Sequence, residues 1–192
     1  MPTSDSPEIE ILLAMWGEGD RDALRALVPL LYGELHKVAR WQIRLTPSPR
    51  TLQATALVHE AYLRLHHQFR GHFRNKSHFI AVCALLMRQI LVGYARERRA
   101  AKRGGGLNHC TLEDVHAVIK GQPVDLLDLD RALTELSRLD AEQGRIVELR
   151  FFGGFSIEET AGVLGVSPAT VKRHWSTARI WLYQQLRGEV HA

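Results

Sequence analysis

Hydrophobic residues recur every three to four positions along most of this chain of 192 residues. Leu24, Leu27 and Leu31 show this spacing in the first part of the chain, and Leu133 and Leu136 show it in the last part. A helix presents one face with this period, whereas a strand alternates every two residues. No alternating run of Val, Ile or Thr is long enough to indicate a strand. The sequence therefore predicts an all-α fold.

A glycine run divides the predicted helices into two groups. Gly104–Gly106 follows a long helical pattern, and the segment after it has weak periodicity and contains Pro123. Glycine and proline interrupt helices and favour loops. We therefore predict two small helical domains, at residues 8–103 and 128–188, joined by a flexible linker at 104–127.

Composition limits the cellular setting. Hydrophobic residues make up 45% of the chain and charged residues 24%, which is ordinary for a globular protein. The only two cysteines, Cys83 and Cys110, exclude a disulfide framework and favour a reducing compartment. The N-terminus lacks the pattern of a signal peptide, and no apolar run approaches the ~18 residues of a membrane span. The expectation is a cytoplasmic protein that has no membrane partner.

Positive charge is concentrated in two blocks. Residues 61–103 hold ten Lys or Arg and one acid, and residues 160–188 hold four Lys or Arg and no acid. Six acidic residues lie between the blocks, in residues 104–135. Two basic blocks separated by an acidic connector favour a polyanion bound at two places, although cations that merely solvate helices are the simpler alternative.

The first basic block includes a long amphipathic helix. Phe79, Cys83, Leu86, Ile90 and Tyr94 form its apolar stripe. At 100° per residue the cations project away from that stripe. The predicted basic ridge consists of Arg88, Arg96, Arg98, Arg99, Lys102 and Arg103.

A helix-turn-helix is predicted near the C-terminus. Ser156 can cap a helix together with Glu159 in a capping box. Gly165 permits a tight turn, Ser167 can cap a second helix, and Pro168 suits the first position of that helix. Two helices joined by a short glycine turn form this DNA-binding unit, and an ordinary helical hairpin is the alternative.

The second helix of this unit has two different faces. Val171, Trp175, Ala178 and Leu182 form its buried face, because they recur at spacings of three and four. Small, polar or cationic residues lie on the other side and its flanks: Ser167, Ala169, Thr170, Lys172, Arg173, Ser176 and Thr177. Such a face fits a major groove, where an arginine can contact guanine and hydroxyls can hold phosphates.

No other pattern indicates chemistry. The ten histidines show no His-x-x-x-His spacing, and the cysteines no Cys-x-x-Cys, so solvated histidines are favoured over a metal site. The Gly104–Gly106 run lacks the Gly-Lys-Ser/Thr ending of a phosphate-binding loop. We therefore predict no metal, no cofactor and no enzymatic activity.

Several segments resemble one known family. In the C-terminal half these segments are Leu136-Ser-Arg-Leu139, Phe152-Gly-Gly-Phe-Ser156, Leu164-Gly-Val-Ser167 and Thr170-Val-Lys-Arg173. In the N-terminal half they are Leu57-Val-His-Glu-Ala-Tyr-Leu-Arg64 and the basic helix from Arg88 to Gly104. From about Ile9 to Leu186 the chain resembles the extracytoplasmic-function (ECF) class of bacterial RNA polymerase sigma factors.

The resemblance implies a role for each segment. The outer face of the helix-turn-helix would recognise the -35 promoter element. A second site would bind core polymerase, through Leu57, Val58, His59, Glu60, Leu63 and Arg64. A third site would capture an unpaired base of the -10 element, through Phe69, Arg70, Phe73, Arg74, Asn75 and Lys76 with Arg88, Arg96 and Arg99. Aromatics interleaved with cations suit single-stranded DNA independently of the resemblance, although Phe69 and Phe73 could equally be core residues.

The implied function is promoter-specific transcription initiation. The polymerase would supply all the chemistry, and the partners would be core RNA polymerase, promoter DNA and, as a further candidate, an anti-sigma factor. One alternative is a dimeric helix-turn-helix regulator with residues 1–100 as its sensor or dimerisation domain. A second is a recombinase or nuclease with a C-terminal helix-turn-helix, for which the sequence offers no catalytic motif.

Overall fold

The computed structural model describes residues 6–45, 53–68, 72–101, 109–110 and 124–188. Within these ranges the chain is almost entirely helical, which confirms the all-α prediction. The helices are α1 (Pro7–Gly17), α2 (Arg21–Leu45), α3 (Ala54–Gln68), α4 (Lys76–Ala101), α5 (Leu126–Leu139), α6 (Ala141–Val147), α7 (Ile157–Leu164) and α8 (Pro168–Gly188). A π-helical turn, Glu148–Phe152, joins α6 to the segment before α7.

Helices α1 to α4 form what we call the N-terminal lobe. Asp20 begins α2, because its carboxylate accepts the backbone N–H of Asp22 at 2.8 Å. The helix continues through Pro29. Phe79 and Met87 of α4 are fully buried, which places α4 at the centre of this lobe.

Helix α4 also has the length and apolar composition of a membrane span. This property belongs to residues Lys76–Ala100, but 61% of the apolar window is buried inside the protein. A helix buried to that extent is already surrounded by protein. The apolarity of α4 is therefore explained by its central position in the core.

Helices α5 to α8 form the C-terminal lobe. The carboxylate of Asp125 caps α5 by accepting the Leu127 N–H at 2.7 Å. Asp140 caps α6 by accepting the Gln143 N–H at 2.9 Å. Each helix of the lobe thus begins at a local polar signal, and its apolar face packs inward.

The two lobes are in direct contact, which the sequence did not predict. The indole N–H of Trp41 on α2 donates to the carbonyl of Phe151 at 2.8 Å. The fully buried side chain of Gln42 donates to the carbonyls of Ala84, at 2.9 Å, and Phe152, at 3.1 Å. One hydrophobic core therefore continues from α2 and α4 into the C-terminal lobe.

The predicted linker at 104–127 lies largely outside the described residues. Its described parts are His109–Cys110, which pairs as a short antiparallel ladder with Val124–Asp125, and the first residues of α5. The domain limits at 8–103 and 128–188 remain a prediction.

Candidate nucleic-acid interface

The turn between α7 and α8 has the predicted local geometry. Ser156 and Glu159 form a complete capping box at the start of α7. Gly165 adopts the left-handed conformation with φ of 71°, which an L-residue rarely adopts. The Ser167 hydroxyl then accepts the Thr170 N–H at 3.1 Å, and α8 begins at Pro168. The helix-turn-helix prediction is therefore confirmed in its caps, its turn and its helix boundaries.

The buried and outer faces of α8 are divided as predicted. Val171 and Ala178 are fully buried, and Trp175 and Leu182 also belong to the core. The outer side presents a continuous row of exposed residues together with half-buried Thr170: Ser167, Ala169, Lys172, Arg173, Ser176 and Thr177. Small side chains on this row leave space for a close approach, and the two cations give it positive charge. Contact of these residues with DNA remains a prediction.

His174 lies at the boundary between the two faces. Its Nδ1 is 4.0 Å from Glu142 Oε1, and its Nε2 is 3.4 Å from an Nη of Arg173. The His174 side chain is 19% exposed. Arg173, in contrast, is exposed, so it is the better placed of the two to reach an external partner.

Only some residues of the predicted site for an unpaired base are both described and exposed. Phe69 and Arg70 lie outside the described residues. Phe73 is buried and packs edge-on against Phe79, with ring centroids 5.0 Å apart. Phe73 is therefore a core residue, which was the alternative to a role in DNA binding. Half-buried Asn75 accepts the His78 N–H at 2.9 Å and caps α4. Among the described residues of this segment, Arg74 is the exposed cation.

Lys76 was expected in this loop but is a buried residue. It belongs to the first turn of α4, where its ammonium is paired with Glu34 of α2. A buried ammonium requires such a partner, because desolvation of an isolated charge is costly. The contact ties α4 to α2, and it turns Lys76 away from solvent.

Arg88 was expected on an exposed basic ridge, and this expectation was wrong. Arg88 is buried because the C-terminal lobe packs over it. Its Nη1 is paired with Glu148 Oε1, and its Nη2 donates to Asp130 Oδ1 at 2.7 Å. The guanidinium also lies over the Phe152 ring, 5.0 Å from the centroid.

Among the other described residues of the ridge, Arg96 and Arg99 are exposed and Arg98 is half-buried. Arg96 is 67% exposed and donates to the second oxygen of Asp130 at 2.9 Å. Arg99 is exposed beside it, and the two line a cleft of about 300 Å³ with Arg131.

The pKa of the Glu148 carboxyl is shifted because this group lies between the lobes. Burial raises its pKa, and the neighbouring Arg88 acts in the opposite direction.

The predicted polymerase-binding residues separate into two groups. Leu57 and Val58 are buried and support α3 from inside. The side chains of His59, Glu60, Leu63 and Arg64 reach the surface. Both oxygens of Glu60 are held, one by Arg64 at 3.0 Å and the other by the Tyr94 hydroxyl at 2.9 Å. That hydrogen bond to Glu60 is the main reason that the pKa of Tyr94 is raised.

A groove of about 280 Å³ lies between α2 and α3 next to these residues. Its lining is mainly apolar and includes Arg25, Val28, Pro29, Tyr32, Thr55, Val58, His59 and Tyr62. Leu30, Tyr32 and Leu63 on the same two helices are each about 40% exposed or more. Sequence reasoning did not identify this groove, because no pattern within one helix reports a depression between two.

The fold and the exposed face of α8 define a helix-turn-helix protein, a class in which many members bind DNA. The family model for the ECF sigma factor matches residues 6–188. Two curated relatives, each named ECF RNA polymerase sigma factor SigM, come from Mycobacterium tuberculosis strains Erdman and H37Rv. Each is 30% identical over 177 residues, which cover 91% of this chain and 83% of the relative. The chain belongs to the ECF sigma factor family, as its sequence motifs indicated.

Proposed function

We propose that this chain directs core RNA polymerase to promoters through contacts at two DNA elements. The outer face of α8 binds the -35 element as duplex, and Arg74 together with the arginines along α4 holds the opened -10 element. The observation that carries the proposal is the exposed row on α8, from Ser167 to Thr177, in a chain that belongs to the ECF sigma factor family.

The -35 contact divides into specific and nonspecific parts. Arg173 is the exposed side chain of the row that can form paired hydrogen bonds to guanine O6 and N7. Lys172 and the Ser176 and Thr177 hydroxyls suit phosphate oxygens, which fix the position of a protein on DNA but carry no sequence information. Sequence preference should therefore depend on Arg173 more than on its neighbours.

The -10 contact combines charge with base capture. Arg74, Arg96 and Arg99 are exposed, while buried Arg88 can bind phosphate only when it leaves Asp130 and Glu148. Because Phe73 is buried, Phe69 is the aromatic of the predicted site that is proposed to stack on an unpaired base. Such stacking contributes ~1–3 kcal/mol, which is comparable to the few kcal/mol that extrusion of a base costs. The free energy of binding then drives strand opening. The polymerase catalyses RNA synthesis, and both proteins act in the cytoplasm.

The polymerase contact is assigned to the surface of α3. His59 lines the apolar groove between α2 and α3, and exposed Leu63 and the oriented carboxylate of Glu60 lie on the same helix α3. Changing Leu63→Arg should weaken binding to core polymerase by more than about fivefold, the effect of losing an apolar anchor at an interface. Ile11→Arg is the control, since Ile11 is also an exposed apolar residue of the same lobe, on α1, with 60% exposure against 41% for Leu63. An anti-sigma factor remains a further predicted partner.

The direct test is reconstitution of transcription. The purified chain is added to sigma-free core polymerase, and promoter-specific initiation is expected. Arg173→Ala should lower initiation at promoters with an intact -35 element by the equivalent of about 1–3 kcal/mol, which is roughly 5- to 150-fold. Arg187→Ala is the control, because it removes the same charge from α8 about 21 Å further along the helix axis.

The same experiment separates the proposal from a dimeric regulator. A regulator would bind palindromic sites with a symmetric footprint and would not initiate with core polymerase alone. If the chain confers no promoter-specific initiation on core polymerase, the proposed function is wrong. If initiation occurs but promoter preference is unchanged in Arg173→Ala, only the role of Arg173 is wrong.

A further inference from the structure

Three polar side chains lie in a row that runs from the outer face of α8 to the start of α6. Nη2 of Arg173 is 3.4 Å from His174 Nε2, and His174 Nδ1 is 4.0 Å from Glu142 Oε1. Both nitrogens of the His174 ring therefore face a charged group, one on its own helix and one on α6. We call Arg173, His174 and Glu142 together the His174 bridge.

The inner end of the bridge is buried and has unused capacity for hydrogen bonds. His174 Nδ1 and Glu142 Oε1 are both buried, and neither atom has a hydrogen-bond partner among the described residues. Buried polar atoms without a partner are rare in folded proteins. These two atoms face each other, and a movement of the long Glu142 side chain by about 1 Å brings them to hydrogen-bond distance.

The donor and acceptor roles along the bridge agree with one another. Arginine only donates, so His174 Nε2 accepts from Arg173, and the proton of the neutral ring then lies on Nδ1. An ionised carboxylate only accepts, which is the role that a proton on Nδ1 requires of Glu142. The two charged partners therefore select one tautomer of His174 and one direction for both contacts.

Glu142 is the acid at this end of α6 that can serve His174. The neighbouring acid, Asp140, is occupied by capping: one of its oxygens accepts the Gln143 N–H at 2.9 Å, and the other accepts the Gln143 side-chain amide at 2.7 Å. Oε1 of Glu142 has no such contact in the described part of the chain. The inner partner of the ring is therefore Glu142.

We propose that His174 and Glu142 are positioning residues for promoter recognition, which hold the guanidinium of Arg173 in the orientation that contacts a guanine of the -35 element. This inference rests on the proposed function, in which Arg173 recognises that element. A guanidinium has five N–H groups, and the contact with His174 occupies one of them. Enough remain for paired hydrogen bonds to guanine O6 and N7, so both contacts can exist together.

Positioning matters because an arginine side chain is long and flexible. Arg173 is exposed, so without His174 its side chain would sample many rotamers before it binds. Ordering a flexible side chain at an interface costs free energy, and a side chain already held in its bound orientation avoids part of this cost. The bridge should therefore strengthen recognition of the base, whereas phosphate contacts elsewhere on α8 carry no sequence information.

The test measures sequence discrimination by the reconstituted holoenzyme. Initiation is compared between a promoter with an intact -35 element and promoters in which each G·C pair of that element is replaced in turn by A·T. The discrimination ratio is the ratio of initiation on the intact promoter to initiation on the substituted one, at the pair where Arg173→Ala lowers this ratio most. His174→Leu should lower the same ratio about two- to tenfold, the effect of losing one hydrogen bond.

A second variant tests the inner end of the bridge without changing α8. Glu142→Gln removes the charge that holds the proton on Nδ1, so it should lower the discrimination ratio in the same direction, because charge-assisted hydrogen bonds are the stronger ones. Glu158→Gln is the matched control. It changes the net charge equally and also removes an acid from the first turn of a helix in the same lobe, α7, and it should leave the ratio unchanged.

A double variant separates positioning from a merely structural role. In the Arg173→Ala background, His174→Leu should not lower initiation on the intact promoter any further, because both residues act through one contact. A structural role would lower initiation equally on both promoters and leave the ratio unchanged. That result, a further loss in the double variant, or no effect of Arg173→Ala at any pair overturns the positioning role. Failure of the unmodified chain to initiate with core polymerase would instead overturn the proposed function, so the two failures are distinct.

Discussion

The guanidinium of Arg150 lies over the ring of Trp175, 5.0 Å from its centroid. Arg150 belongs to the π-helical turn and Trp175 to α8, so this contact connects the first half of the C-terminal lobe to the helix that carries the proposed -35 face. Arg150 also donates to the carbonyl of Phe155 at 3.1 Å. The orientation of α8 therefore depends on a residue far from its exposed face.

Arg150→Ala should destabilise the protein by about 1–3 kcal/mol. The loss combines a hydrogen bond of about 1 kcal/mol with a partly desolvated cation–π contact of about 0.5–2 kcal/mol. Urea denaturation of the full chain measures the change. Arg138→Ala is the control, because Arg138 is 75% exposed and its surface ion pair with Glu135 contributes at most about 1 kcal/mol. An equal loss of unfolding free energy in the two variants would contradict a stabilising contact between Arg150 and Trp175.

The features that the sequence predicted correctly are local. Ser156, Gly165 and Ser167 act on backbone groups within a few residues, so the residue types alone determine caps and turns. The apolar stripe of α8 likewise shows which face of that one helix is buried. These signals were sufficient for the helix-turn-helix and for the exposed row on α8.

The features that the sequence did not predict depend on distant packing. Arg88 is 42 positions from Asp130 and 60 positions from Glu148, and its helix pattern shows only that it lies off the apolar stripe. Cations in such positions are normally solvated. The second lobe that covers Arg88 is not encoded in the periodicity of α4, and the same holds for Lys76 and its partner Glu34.

The thiol of Cys83 should be inert in the folded protein. Burial raises its pKa to about 12 from an ordinary value of 9.0, and the residue is 3% exposed. At pH 8 this shift lowers the thiolate fraction about a thousandfold, and the thiolate is the reactive form. Ellman's reagent added to a Cys110→Ser protein should react only after urea unfolds the chain. Rapid reaction under native conditions would contradict the central position of α4.

Two glycines of the helix-turn-helix should respond to alanine in opposite directions. A Cβ at either Gly162 or Gly165 meets nothing within 4 Å, but Gly165 has φ of 71°. Gly165→Ala should therefore destabilise the protein by about 1 kcal/mol, since left-handed backbone costs an L-residue about 1–2 kcal/mol and a stiffer unfolded chain offsets part of it. Gly162→Ala should stabilise it by about 0.5–1 kcal/mol, as in other helix interiors.

Each glycine variant is the control for the other. Both add one methyl group at an open position near the end of α7, so differences in bulk and hydrophobicity cancel. Urea midpoints of the two variants should lie on opposite sides of the midpoint of the unmodified chain. Shifts in the same direction would show that the backbone angle at Gly165 does not decide the outcome.

His78 should make stability depend on pH in the mildly acidic range. Burial, and to a smaller extent Arg74, lowers the pKa of His78 below its ordinary value of 6.5. Its Nδ1 accepts the Arg74 N–H at 3.2 Å, which requires that nitrogen to be unprotonated. The unfolded chain therefore binds the proton more readily, and the contribution of His78 to stability is present above pH 6.5 and decreases as the pH falls below it.

The change that isolates this effect is His78→Gln. Other charged groups line the same cleft, namely Arg74, Arg145 and Glu148, and burial raises the pKa of Glu148, so the total pH profile mixes opposite contributions. The difference in unfolding free energy between the unmodified chain and His78→Gln cancels those groups. That difference should be largest near pH 7.5 and should narrow towards pH 5. If this difference in unfolding free energy stays constant between pH 5 and pH 7.5, His78 keeps an ordinary pKa in the folded protein.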